Sequence, residues 1–250
     1  MNSDFVDNLV KFNSLSNGRD KLFRLVQYGS KFAWWYLQKY DVSPEVVDRL
    51  QKLGNALSTT RKFMQLGRSV DFVHGALRSL HLTDPILRWS ITMSKLNQAV
   101  ALLFDHIIWA GRIGLATIDK DKWSNLSARF WIVTLILNLT RDIYDIITVI
   151  SREVKIRTAK SSRSHYKNGI SDHKTISKPK LTNTQLFVKC VTENQSVFLD
   201  LLKNLCDLVL PLESLGYVKV SPGVQGLTGS VSSLVGIAST WNPLLKLVPS

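Results

Sequence analysis

Between residues 61 and 82 apolar side chains recur at alternating steps of three and four: Phe63, Leu66, Val70, Val73, Leu77 and Leu80. At 3.6 residues per turn they fall on one narrow stripe, so the spacing predicts an amphipathic helix. Arg61, Arg68, Asp71 and Arg78 lie on the opposite side, Lys62, His74 and His81 on its flanks, and Phe72 stands out of place among them. A stripe of this kind packs against a protein's own core in most proteins. An apolar edge backed by cations also suits a helix lying in a membrane interface, with hydrocarbon for the acyl chains and positive charge for anionic headgroups.

The rest of the pattern is helical too. Residues 20–40 keep Leu22, Val26, Phe32, Ala33, Tyr36 and Leu37 mostly on one face. Ser43-Pro44-Glu45 reads as a helix start, with proline at the first helical position and a carboxylate at the positive end. That helix is expected to break near Gly54 and resume as the amphipathic stretch. Thr83-Asp84-Pro85 reads as a second start, opening a segment over 85–110 in which Trp89 and Trp109 stand ~30 Å apart on a helix, near the thickness of a hydrocarbon core. Lys95, Asn97, Gln98, Asp105 and His106 interrupt it, so the segment reads as a bundle helix or as a span shielded from lipid. Residues 111–121 form a turn region. A long helix is predicted over 123–150; its part from 130 to 139 is apolar nearly all round, which implies burial on every side, and Arg141 and Asp145 stand at i and i+4, the spacing of an ion pair.

The pattern changes at residue 152. Residues 152–180 carry nine Lys/Arg against Glu153 and Asp172, with many Ser and Thr and no apolar period, so they are expected to be a disordered basic linker. It separates an N-terminal helical region, 1–151, from a C-terminal one, 181–250. A helix is expected over 183–210, ended by Pro211. Residues 220–245 hold no charged side chain, and their length makes them the best candidate transmembrane segment. Gly226 with Ser230 and Gly229 with Ser233 are small pairs four apart, the spacing at which helices approach closely and self-associate in lipid.

Charge narrows the partners. The formal net charge is +13, and the linker carries more than half of it, which calls for an anionic partner: an acidic membrane surface or a nucleic acid. No zinc, RRM or homeodomain pattern is present, and the aromatic residues lie in apolar segments, so nucleic acid is set aside. The N-terminus lacks an apolar run and carries Asp4 and Asp7, which argues against a secretory signal or a mitochondrial presequence. Cys190 and Cys206 read as buried thiols. No phosphate loop, metal-ligand cluster or nucleophile elbow appears, so no catalytic residue, metal or cofactor is expected.

Particular stretches then resemble a known family. They include Gly18-Arg19-Asp20-Lys21-Leu22-Phe23-Arg24 with Gln27-Tyr28, Arg61-Lys62-Phe63 with Leu66-Gly67, Leu96-Asn97, and residues 105–109 with Gly114-Leu115. Lys122-Trp123 and residues 138–145 follow, then Lys203-Asn204-Leu205-Cys206-Asp207, Pro211-Leu212, Leu215-Gly216 and Pro222-Gly223 onward to Ser232-Ser233. In this order they resemble the peroxin-eleven family of peroxisomal membrane proteins, in its animal alpha/beta-type branch. The resemblance implies an all-α, membrane-associated helical bundle with an amphipathic interfacial helix and a C-terminal transmembrane segment. It implies a multi-pass protein of the peroxisomal membrane, with both termini toward the cytosol, that is not an enzyme and drives organelle elongation, proliferation and fission. Carried over to this chain, Arg61, Lys62, Phe63, Leu66, Arg68, Val70, Val73, Leu77 and Leu80 become the membrane-inserting residues; anionic lipids, further copies of the chain, fission adaptors and a dynamin-like GTPase become its partners. The ionisable residues Asp105, Arg141, Asp142 and Asp145 within apolar helices leave a second reading open, a membrane pore for metabolites.

Overall fold

A computed structural model describes residues 3–40, 43–168, 188, 190–245 and 247. Among these residues there are helices and no strands. We label the helices α1 (Ser3–Ser14), α2 (Ser16–Lys39), α3 (Pro44–Met64), α4 (Arg68–Ser79), α5 (Pro85–Arg112), α6 (Lys120–Asn168), α7 (Gln195–Ser214) and α8 (Pro222–Trp241); a 3-10 turn follows at Pro243–Leu245.

The helix starts follow local chemistry. Asp84 accepts from the amides of Ile86 at 2.8 Å and Leu87 at 3.3 Å, with Pro85 in the first turn, so the predicted start of α5 is a capped one. Ser221 caps α8 in the same way through Val224 N. Pro44 opens α3 as its position suggests, although Ser43 makes no side-chain cap bond.

The chain closes on itself. α2 packs on α3, α4 on α5, α5 on α6, α6 on α7, α7 on α8, and α8 returns to α2. The α8–α2 seam is tight because small residues let the backbones meet. A Cβ at Gly226 would stand 2.5 Å from the Phe32 amide nitrogen and 2.8 Å from its Cα, and one at Gly229 would overlap the Tyr28 ring. Gly226 and Gly229 are buried in this seam, and Ser233 is fully buried with its hydroxyl on Gly229 O at 2.6 Å. The residues expected to join copies of the chain therefore serve an internal contact. Ser230 lies on the same helix, its buried hydroxyl without a partner among the described residues.

Several expectations are corrected. The stretch 61–82 is not one helix: Gly67 adopts φ +82°, a left-handed conformation natural to glycine, and splits it into the end of α3 and the whole of α4. The break expected at Gly54 is absent, and α3 runs through it. Residues 152–168 continue α6 as helix rather than linker, while 169–180 lie outside the described residues. Pro211 sits inside α7 instead of ending it, and of the helix expected over 183–210, residues 183–187 and 189 lie outside the described ones. The part from 130 to 139 is not buried on every side, since Val133 and Ile136 are exposed. Among the described residues no helix is long and apolar enough to cross a membrane, including α8 within the expected span 220–245 and the helices over 85–110 and 123–150. The reason is compositional: each of these helices spends one side on polar residues. Both cysteines are free, Cys190 buried and Cys206 half-buried.

Candidate membrane face and internal polar cavity

α5 buries Leu87, Ile91, Leu102 and Ile108 as a protein in water would, but several other helices of the ring set apolar side chains outward and charged ones inward. On α2, Leu22, Val26, Phe32 and Tyr36 are exposed, while Asp20, Arg24 and Ser30 are buried. On α6, Ile143 and Ile147 are exposed and Asp142 is fully buried. On α7, Leu202 and Leu205 face out and Asn204 and Asp207 face in. Soluble proteins bury their aliphatic side chains and bury charge only when it is paired, so the informative observation is the combination of the two faces.

The stripe of α3 and α4 follows the same rule. Phe63, Leu66, Val70, Val73, Leu77 and Leu80 are between 41% and 68% exposed. Phe63 rests its ring against Trp109 at 5.5 Å, and the others project outward around the turn at Gly67. The opened turn is held from behind, where His106 Nε2 lies 3.2 Å from Gln65 O.

The basic back of the stripe is where expectation and structure part. Arg61 donates to Asp20 at 3.0 Å and to Gln27 at 2.8 Å, Lys62 donates to Asp105, and Arg68 donates to Asn17 at 3.3 Å and stands 3.8 Å from Asp20. These three cations, expected on lipid headgroups, point into the ring and tie α3 and α4 to α2 and α5. An ion pair in this setting is worth more as an orienting strut than as net stability, because desolvation offsets most of the attraction.

Inside the ring lies a cavity of about 1400 Å³ reached by side chains of every helix from α2 to α8. Three carboxylates organise its wall. Asp20 is buried between Arg61, Arg68 and Gln65; burial works to raise its pKa, but Arg61, Lys21 and the Gln65 hydrogen bond outweigh it and hold the carboxyl below its ordinary value. Asp207 accepts from Arg24 and from Ser232, and is likewise held low against its burial, chiefly by Arg24. Asp200 accepts from Arg141 and from Lys203, the latter at 3.1 Å. Arg141 also reaches Asp142 at 2.7 Å, so the expected pair with Asp145 gives way to a bridge between α6 and α7. Asp142 is completed by Asn204 at 2.6 Å; burial dominates there and raises its pKa. Lys21 lines the same space, and burial followed by the nearby Arg24 lowers its pKa to about 7.

Of the residues that suggested a pore, Asp105, Arg141 and Asp142 are thus members of internal ion pairs. The sequence reading missed Asp20, Lys21, Arg24, Lys203, Asn204 and Asp207. Their signal was a polar stripe at helical spacing: 20, 24, 27 and 31 on α2, and 200, 203–204 and 207 on α7.

The chain matches the family described as Peroxisomal biogenesis factor 11 (PEX11) over residues 6–241. It is 34% identical over 261 residues to Peroxisomal membrane protein 11B of Bos taurus, covering 98% of this chain and 100% of that protein. It is 32% identical over 245 residues to Peroxisomal membrane protein 11A of Homo sapiens, covering 97% and 99%, and 26% identical to Peroxisomal membrane protein PMP30B of Candida boidinii over 248 residues, covering 95% and 94%. No solved structure matches the chain.

Proposed function

This chain belongs to the peroxisomal biogenesis factor 11 family, and on that premise we propose that it acts at the peroxisomal membrane, elongating it by lodging the outward stripe of α3 and α4 in one leaflet. The observation that carries this reading is the exposure of Phe63, Leu66, Val70, Val73, Leu77 and Leu80 on one continuous edge, each at least 41% open. Such an edge leaves water by entering the acyl region beneath the headgroups, and area added to one leaflet alone bends the bilayer. Exposed apolar side chains on the neighbouring helices, such as Leu103 of α5 and Ile136 of α6, extend the apolar surface beyond the stripe.

Arg61, Lys62 and Arg68 serve this function indirectly, by fixing the angle of the wedge against the ring. Attraction to anionic lipid falls instead to the basic residues after 152, of which Lys155 is exposed on α6. Self-association, with recruitment of fission adaptors and a dynamin-like GTPase, belongs to the same reading. Because the small residues of α8 are occupied by α2, copies would meet through its outward side, where Val224, Leu227 and Leu234 are exposed.

The test uses the full chain with Leu66, Val70 and Val73 changed to Glu. Loss of liposome tubulation in vitro and of peroxisome elongation in cells is expected, with helical content unchanged. Tubulation at the wild-type level would remove the wedge from the account.

A further inference from the structure

The wedge makes no use of the cavity, and the cavity's charge is unbalanced. Nine Lys or Arg side chains line it against four Asp. Asp20, Asp200 and Asp207 show what this wall offers an oxyanion: each accepts from at least one cation and from a second donor drawn from Gln65, Lys203 or Ser232. Carboxylates of the chain fill these places and leave cations over. Lys21 lines the space among the described residues with no hydrogen bond or ion pair of its own. Around it, Arg24 and Lys203 lower its tendency to hold a proton, and Asp20 and Asp207 raise it; both carboxylates already have a partner, Arg61 for Asp20 and Arg24 for Asp207, which leaves Lys21 over. Like charges drawn together away from bulk water repel, and a bound anion relieves that repulsion. Phosphate groups place more than one charge on one centre and accept from Lys and from the guanidinium fork together.

We propose that the cavity binds a small phosphate-bearing oxyanion, with Lys21, Arg24 and Lys203 as the receiving cations. A soluble phosphate compound and a phospholipid headgroup present the same group, so the source is a matter for experiment. The site stands apart from the wedge, and either can fail without the other.

The full-length protein in detergent is titrated with sodium pyrophosphate at constant ionic strength, with chloride as the matched salt, and thermal unfolding is followed. In a second arm, protein in phosphatidylcholine vesicles containing a phosphatidylinositol monophosphate is compared with protein in vesicles of equal charge made with phosphatidylserine. Saturable protection by pyrophosphate supports the site with a soluble source; protection by the phosphoinositide alone supports it with a lipid source. Lys21→Met should weaken that protection about tenfold or more, the effect of removing one charge-assisted hydrogen bond. Lys21→Gln serves if the first variant does not fold. Lys120→Met removes the same charge from an exposed position outside the cavity and should bind as wild type. In detergent, the triple Glu variant of the wedge should also bind pyrophosphate as wild type. Protection equalled by chloride and by phosphatidylserine, protection undiminished in both Lys21 variants, or an equal loss in Lys120→Met would each overturn the site.

Discussion

Changing Leu66, Val70 and Val73 to Glu tests the outward stripe where its consequences are largest. These side chains are 41%, 68% and 42% exposed, and the whole stripe averages about half. Full burial of such a side chain is worth ~1.5–3 kcal/mol, so half-burial in lipid contributes ~0.8–1.5 kcal/mol each, and the three together ~2.5–4.5 kcal/mol. At 1.4 kcal/mol per factor of ten, membrane partition should fall by about two to three powers of ten before the added carboxylates are counted. Those carboxylates act in the same direction, resisting desolvation and repelled by anionic lipid. Because the replaced side chains already face outward, the fold should be little changed. Co-flotation of full-length protein with anionic liposomes over a lipid titration measures the partition, and circular dichroism checks the helices. A partition within threefold of wild type, in a protein that remains helical, would refute the reasoning, since the apolar edge would then contribute nothing to membrane attachment.

Four further outcomes follow from the same geometry. Arg61→Gln with Arg68→Gln should lower the unfolding midpoint while leaving lipid affinity per folded molecule near wild type, because both side chains pair with Asp20 rather than with lipid; a fall in flotation with unchanged stability would contradict this. Gly226→Val should cost ~1–3 kcal/mol of stability by forcing a side chain into the Phe32 backbone, readable by denaturant titration in detergent. Asp207→Asn should cost ~3–5 kcal/mol by leaving the buried Arg24 guanidinium without its counter-charge; in the wild type the Asp207 contribution is present above the ordinary carboxylate pKa of 3.8 and is lost as pH falls through its lower folded-state pKa. Lys21→Met should stabilise the anion-free protein on the order of 1–2 kcal/mol at pH 6–7, after allowance for screening. Between the folded value of about 7 and the ordinary 10.5 the unfolded chain binds the extra Lys21 proton, so wild-type stability climbs with pH and the variant's advantage fades, as thermal melts from pH 6 to 10.5 would show.

Hydrophobic period and proline placement were enough to show that the described part of the chain is helical, and they set several boundaries within a residue or two. Proline with a preceding Ser or Asp marked the starts of α3 and α5, and the turn between α5 and α6 fell where it was expected. The period also showed that residues 61–82 have one apolar and one basic side. The length of a helix is harder to read than its period. Gly54 and Gly67 are alike in sequence, yet α3 accommodates the first, and the second takes a left-handed conformation that ends it. Around that turn, Asp20 and His106 hold Arg61, Gln65 and the Gln65 carbonyl from outside the segment.

Tertiary structure alone decided which side faces in. A helical period says that two faces differ and is silent on which of them meets the centre of the ring. Here the answer rests on partners far away in sequence: Asp20 for Arg61 and Arg68, Asp105 for Lys62, Asp207 for Arg24 and Asp200 for Arg141. Cations that look fit for headgroups find carboxylates within the ring, where the lower dielectric strengthens their attraction, and the apolar stripe of α3 and α4 is left to the outside. The small residues of α8 obey the same logic. Their spacing licenses a close approach to another helix, and only the closing of the ring made that helix α2 of the same chain.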